Sequence, residues 1–127
     1  MHRSRLAGII IDCQGGDLGL AADFWSRALG YRRKQSTDPA NDNYALLDTG
    51  PEEPYIELQS VEHPSRVHID IETDDIESEV SRLEKLGAKR VEKIRTWWVM
   101  EAPTGHRFCV VPSQRSDFSE RANQWKE

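Results

Sequence analysis

The spacing of hydrophobic and polar positions in the first half of the chain predicts a strand, a helix and three further strands. Residues 6–11 form a short apolar run rich in β-branched side chains, which is typical of a buried strand. Apolar side chains then recur at helical spacing over residues 18–29, between Asp17, a good N-cap, and Gly30, a frequent C-terminal stop. Three strand-like segments follow at residues 31–35, 44–48 and 55–60, separated by turn-rich stretches such as residues 38–43.

The same order of elements returns in the second half of the chain. Residues 66–72 alternate, so a strand there has an apolar face of Val67, Ile69 and Ile71 and a polar face of His68, Asp70 and Glu72. Asp74 is the expected N-cap of a second amphipathic helix, which Gly87 ends. Three more strands are predicted at residues 88–94, 96–101 and 106–111.

This repeat predicts one α+β domain over residues 1–112, built from two β-α-β-β-β modules at about 5–62 and 63–112. The remaining residues, 113–127, form a polar tail in which Phe118, Ala122 and Trp125 lie at helical spacing. Two interpretations of the tail stay open. It forms a short helix that docks on the domain or on a partner subunit, or it is a frayed terminus.

Composition narrows the class of partner. With 127 residues and 37% hydrophobic content, the chain suffices for one ordinary core. The formal net charge of -5 argues against nucleic acid and anionic membranes as partners. A small molecule is therefore the expected binding partner. No apolar run approaches the roughly 20 residues of a membrane span, and the start of the chain argues against a signal peptide. We therefore expect a cytoplasmic protein in which Cys13 and Cys109 are reduced.

Several motifs resemble the glyoxalase-like domains of the vicinal oxygen chelate superfamily, in the glyoxalase/bleomycin-resistance group. They are the aromatic pair Phe24-Trp25, the Leu-Gly dipeptide after each helix, the segments Ile11-Asp12-Cys13, His68-Ile69-Asp70-Ile71 and Trp97-Trp98-Val99-Met100, and the closing hairpin Pro103-Thr104-Gly105. The resemblance covers about residues 6–112. It implies a curved mixed sheet around a central cavity, a homodimer, and a small-molecule ligand.

Metal-using members of this superfamily place ligands on the first and last strands of each module. By this resemblance, His68 matches the histidine of the second module's first strand, and Glu57 matches the glutamate that ends the first module. The other two positions depart from the pattern, because residues 8–10 are Gly-Ile-Ile and the last strand carries Cys109. The resemblance thus implies that Glu57 and His68 are catalytic, as acid/base groups or as a partial metal site.

The cofactor stays undetermined at this stage. Two protein ligands are too few for a catalytic metal, so a divalent metal is compatible with the family but not favoured. Cys109 as a third ligand would select a soft metal such as zinc, although its apolar run is more simply that of a packed thiol. The spacing His68-x-Asp70 also matches the facial triad of non-haem iron enzymes, which needs a second histidine. The simpler alternative is a polar pair completed by Arg66 or Arg107.

Two functions follow from these residues. One is a small-molecule-binding protein, a lyase or isomerase acting on an oxygen-bearing organic compound with an incomplete metal-ligand set. The alternative is a non-catalytic protein that sequesters a drug or metabolite, like bleomycin-resistance proteins, by aromatic stacking and acidic side chains. The expected ligand-binding residues are Gln59, Asp70, Trp25, Trp97, Trp98 and Cys109.

Overall fold

The computed structural model describes residues 1–34 and 43–126, so most of the predicted turn at 38–43, and Gln35 at the end of a predicted strand, lie outside the described residues. The chain divides into two compact units, which we call the first-half unit, Gly8–Val67, and the second-half unit, Met1–Ala7 with His68–Glu127. The elements are β1 His2–Gln14, α1 Leu18–Leu29, β2 Arg33–Lys34, β3 Tyr44–Leu47, β4 Tyr55–Val61, β5 Arg66–Thr73, α2 Ile76–Lys85, β6 Lys89–Ile94, β7 Trp97–Glu101, β8 Arg107–Pro112, α3 Phe118–Arg121 and β9 Asn123–Trp125.

The first-half unit has the strand order β2-β3-β4-β1 with one helix against it. The strands β1 and β4 are parallel and the other neighbours are antiparallel. As predicted, α1 begins after Asp17, whose carboxylate accepts hydrogen bonds from the Gly19 and Leu20 amides, and it ends at Gly30 with φ 78°. The apolar face of α1 covers a core of Ile11, Ala22, Ala45, Leu47 and Leu58.

The second-half unit repeats this plan. Its strand order is β9-β1-β5-β8-β7-β6, where only the start of β1 belongs to the unit, and β5 runs parallel to β8. Helix α2 covers a core of Val80, Leu83, Met100, Phe108 and Val110. The predicted α+β class, with mixed parallel and antiparallel pairing and a repeated strand-helix-strand-strand-strand order, is confirmed.

The start of α2 differs from the prediction by one residue. Asp75 is the N-cap, and its carboxylate accepts hydrogen bonds from the amide and the hydroxyl of Ser78. The carboxylate of Asp74 instead accepts a hydrogen bond from the backbone amide of Arg3, at 2.8 Å. Asp74 therefore links the end of β5 to the start of β1 instead of capping the helix. The sequence position of Asp74 does not reveal this contact.

The tail forms a short helix followed by a strand. Helix α3 ends at Arg121, the backbone is extended at Ala122, and β9 then pairs antiparallel with the start of β1. The indole of Trp125 donates a hydrogen bond to the Ser4 hydroxyl, and the Arg82 guanidinium lies 3.9 Å from the centre of its ring. Trp125 thus packs as part of the second-half unit, in a strand and not in a continuing helix.

Among residues 1–34 and 43–126, every helix is too short or too polar to cross a bilayer.

Candidate functional site

The polar face of β5 and β8 gathers a cluster of three side chains that we call the HDC cluster: His68, Asp70 and Cys109. Alternation along β5 sends Ile71 into the core under α2 and leaves His68 and Asp70 on the opposite face. On β8, Val110 enters the same core, so its neighbour Cys109 faces the other way. Parallel pairing sets Asp70 directly beside Cys109. Strand register therefore brings together residues that are about forty positions apart in the sequence.

The distances within the HDC cluster are short. One ligand atom from each residue lies within 4.8 Å of the other two, and His68 Nε2 is 3.8 Å from Asp70 Oδ1. The latter separation is an ion-pair distance rather than a direct hydrogen bond. The His68 and Asp70 side chains are only 14% and 11% exposed, so polar groups there interact more strongly than at an open surface.

The residues of the HDC cluster suit a divalent metal. A nitrogen, an oxygen and a sulfur donor converge on one sheet face, and three protein ligands with one open position are the usual arrangement of a catalytic zinc site. Bound there, such a metal would supply a Lewis acid for a ligand oxygen. The sequence interpretation found only two matching ligands because it considered the family positions one at a time. Asp70 and Cys109, which the sequence analysis considered separately as further ligands, stand beside each other on neighbouring strands, and Cys109 lies outside the core under α2.

The two other sequence-based options for this site find less support. Arg66 lies 3.9 Å from Asp12, and Arg107 lies 3.4 Å from Glu101, so these arginines have acidic partners other than Asp70. The remaining histidines also have contacts elsewhere, with Pro64 for His63, Glu79 for His2 and Thr104 for His106. Because each of these three histidines is held by another partner, none of them is placed as the second histidine of a facial triad.

Glu57 and Gln59 lie in the first-half unit, on the face of β4 opposite α1. Glu57 pairs with Ile10 of β1 and Leu46 of β3, while the Gln59 amide donates a hydrogen bond to the Tyr44 hydroxyl at 3.2 Å. Both side chains are half-buried. The roles of Glu57 in catalysis and Gln59 in ligand binding stay predictions.

Gly8 on the first strand is covered by an aromatic ring. The ring of Tyr55, its partner on β4, lies over the Gly8 backbone, and a Cβ at position 8 would stand 2.3 Å from that ring. A histidine or any other side chain at Gly8 would displace the aromatic ring. Position 8 therefore has room for glycine alone while the Tyr55 ring keeps its place.

The tryptophans differ in their surroundings. Trp25 packs against the core of the first-half unit and meets Phe24 edge-to-face, with ring centres 5.1 Å apart. Trp98 packs against the core under α2, on the face of β7 opposite that of Cys109. Trp97 shares a strand face with Val99, which pairs directly with Cys109. Of the two predicted ligand-binding tryptophans on β7, Trp97 is thus the one on the same face as the HDC cluster.

Sequence reasoning gave no role to Asp12, a carboxylate that is 2% exposed and that pairs in register with Gln59. The available signal was an acidic residue inside the otherwise apolar segment 6–13.

Burial and the neighbouring Asp12 raise the pKa of the Cys13 thiol, which keeps it protonated near neutral pH. Cys13 is thus a packed thiol, in contrast to the position of Cys109 beside two metal-ligating residue types.

We compared the whole chain with protein-family models and with known proteins. The model of the glyoxalase-like domain family matches residues 8–111, which cover nearly all of both predicted modules. No curated protein matches the chain.

Solved structures share the fold at low sequence identity. A hypothetical protein of Bacillus halodurans C-125 is 16% identical over 89% of this chain and 96% of its own, with a TM-score of 0.66. Methylmalonyl-CoA epimerase of Mycobacterium tuberculosis is 16% identical over 86% of this chain and 88% of its own, with a TM-score of 0.62. An extradiol ring-cleaving dioxygenase of B. fuscum is 14% identical over 87% of this chain and 32% of its own, with a TM-score of 0.58.

Proposed function

Because the chain belongs to the glyoxalase-like domain family of the vicinal oxygen chelate superfamily, we propose that it binds a small oxygen-bearing organic molecule and acts on it as a lyase or isomerase. The observation that carries this proposal is the HDC cluster, three polar side chains that converge on one strand face of the second-half unit. Family membership, first expected from motifs, is confirmed by the match over residues 8–111.

Binding of an oxygen-bearing ligand follows from the chemistry of the cluster. Ligand sites are mostly apolar and use a few convergent polar groups to orient the bound molecule. The largely buried His68 and Asp70 are such groups, and Val99 and Trp97 extend the same strand face with apolar surface. A carbonyl, hydroxyl or carboxylate of the ligand is the natural partner for this end of the site.

A separate part of the proposal assigns proton transfer to Glu57 of the first-half unit, and it rests on the match of Glu57 to the glutamate that ends the first module in the family. A carboxylate held among half-buried strand residues can act as a general base when it reaches the acidic carbon of a ligand. The fold is shared with a protein named methylmalonyl-CoA epimerase, and epimerisation belongs to the isomerase class of reactions proposed here. We also propose that the protein is cytoplasmic, which two cysteines outside any disulfide support, and that it is a homodimer, as the family resemblance implies.

The ligand-binding part is tested with His68→Ala. Native mass spectrometry of the purified protein first identifies any retained small molecule, and a panel of 2-oxo acids, 2-hydroxy acids and acyl thioesters is then screened by thermal shift and calorimetry. We expect His68→Ala to weaken binding at least tenfold, about 1.4 kcal/mol, because the ligand loses a polar contact in a poorly hydrated site. His63→Ala is the control, since that ring lies in an exposed turn. Equal affinity of both variants would contradict the proposal.

The catalytic part is tested with Glu57→Gln, which keeps the size of the side chain but cannot accept a proton. We expect turnover of the identified ligand to fall about 100-fold or more, with affinity changed less than threefold. Glu62→Gln, at an exposed position after β4, is the control. If wild-type protein binds the ligand and shows no turnover, the sequestering alternative replaces the enzyme.

A further inference from the structure

We propose that the HDC cluster is a zinc site, formed entirely by the second-half unit from a nitrogen of His68, an oxygen of Asp70 and the sulfur of Cys109. The inference deepens the proposed function and rests on it for the role of the metal, which would be to bind the oxygen of the ligand. The site differs from the four-position pattern of the family. It uses Asp70, two residues after the matching histidine, and needs no ligand from the first-half unit.

Backbone geometry holds the three donors in place. His68 and Asp70 are two residues apart on β5 and share a face, and Asp70 is opposite Cys109 on β8. With bond lengths of about 2.0–2.3 Å, the donor atoms of a tetrahedral zinc site are roughly 3.3–3.8 Å apart. His68 Nε2 and Asp70 Oδ1 already have this separation at 3.8 Å, and all three donors lie within 4.8 Å of one another. Side-chain rotations that move the donor atoms by about 1 Å therefore bring all three to these separations without movement of the strands.

The donor set selects the metal. A thiolate favours zinc and other soft or borderline cations over magnesium and calcium, which prefer oxygen. Imidazole and carboxylate are the other two donors that zinc takes in proteins. Three protein ligands leave a coordination position for water or a ligand oxygen, as in catalytic zinc sites. The cluster thus offers three donors for zinc, and zinc bound there would have a fourth coordination position for the oxygen of a ligand.

The chain contains its own control for thiol binding. Cys13 is in the first-half unit, where burial and Asp12 raise the pKa of its thiol. Both cysteines are of intermediate exposure and outside any disulfide, and among the described residues only Cys109 is grouped with a histidine and an aspartate as a possible set of metal ligands. If Cys109 is the thiol ligand, replacing Cys13 should leave the metal affinity unchanged.

Cobalt titration of the full chain tests the inference. Purified protein is stripped with EDTA under reducing conditions and titrated with Co²⁺, which substitutes for zinc and gives a thiolate-to-cobalt charge-transfer band. We expect one equivalent to bind, Zn²⁺ to displace it, and zinc to raise Tm. The band should disappear in Cys109→Ser and remain in Cys13→Ser. Affinity should fall at least tenfold in Asp70→Asn and His68→Gln, but not in His63→Gln.

Circular dichroism and urea unfolding of each metal-free variant show whether it is folded. If Cys109→Ser is unfolded, Asp70→Asn takes its place, because it keeps the shape of the side chain while losing the charge. A charge-transfer band that is absent in wild type, or that requires Cys13 instead of Cys109, overturns the inference.

Failure of the zinc site and failure of the proposed function give different results. If EDTA-treated protein binds the small molecule as tightly as untreated protein, and His68→Ala still weakens binding, the zinc inference is wrong and the proposed function stands. If zinc binds stoichiometrically and no small molecule binds with or without it, the zinc site stands and the proposed function is wrong.

Discussion

Replacing Glu72 with alanine is expected to lower the free energy of unfolding by about 3 to 5 kcal/mol, a large part of the stability of a domain of this size. The Glu72 side chain is fully buried on β5, two residues after Asp70. It accepts hydrogen bonds from Arg5 Nε at 2.8 Å and from the backbone amides of Gln114 and Arg115. Alanine removes one of the two acidic partners of the Arg5 guanidinium, of which only Asp117 remains, and it leaves two backbone amides unsatisfied. Urea unfolding at neutral pH measures the change.

A matched control separates burial from charge. Glu84 also pairs with an arginine, Arg90, at 3.1 Å, but its side chain is 41% exposed. We expect Glu84→Ala to cost less than about 1 kcal/mol, since exposed ion pairs contribute little. Similar losses for Glu72→Ala and Glu84→Ala would show that the buried network does not hold the end of β5. In that case Asp70 would lack the fixed strand on which the site depends.

Local sequence pattern predicted both long helices and most of the strands, but it missed strand β9 and the start of β1 at His2. Alternation over residues 66–72 placed His68 and Asp70 on one strand face, and the structure has that arrangement. Asp17 and Gly30 marked both ends of α1, because N-capping and a left-handed C-terminal residue are local requirements. These features depend on neighbours a few residues away, so the sequence contains nearly all of the information.

Partnerships between distant strands could not be predicted in the same way. Cys109 was interpreted as a packed thiol because its run is apolar throughout, and such a run does not say which face each residue takes. Only the parallel register of β5 and β8 sets Cys109 beside Asp70. The same limit applies to Asp74, which was expected to cap α2 but bonds to Arg3 of a distant strand. The central cavity implied by the family resemblance stays a prediction.

Glu79 is a second buried carboxylate that the sequence did not single out, since a glutamate on an amphipathic helix is normally solvated. It is fully buried on α2, where His2 Nε2 donates to it at 2.8 Å and Arg82 donates two hydrogen bonds. Burial raises the pKa of the Glu79 carboxyl group, but hydrogen bonds from Arg82, His2 and Ser4 outweigh that effect. The net result is a pKa below the ordinary value of 4.5.

A lowered pKa in the folded state makes stability depend on pH in a definite direction. The folded protein holds the Glu79 proton more weakly than the unfolded chain, so the contribution of the carboxylate is complete above the unfolded pKa of 4.5. That contribution is lost as pH falls through the lower folded pKa. Asp75 adds to the same acid loss, because hydrogen bonds from the Ser78 amide and hydroxyl lower its pKa as well.

Glu79→Gln is therefore expected to lower the free energy of unfolding at neutral pH by about 2 to 4 kcal/mol and to flatten its decline below pH 4.5. Glutamine keeps one acceptor but removes the charge opposite Arg82 and His2. Urea midpoints measured from neutral to acid pH give both numbers, and Glu84→Gln, at an exposed position on the same helix, is the control. Because Asp75 remains, a shallow acid decline should persist in the variant. If wild type and Glu79→Gln lose stability in parallel as pH falls, the buried carboxylate is not the group that titrates.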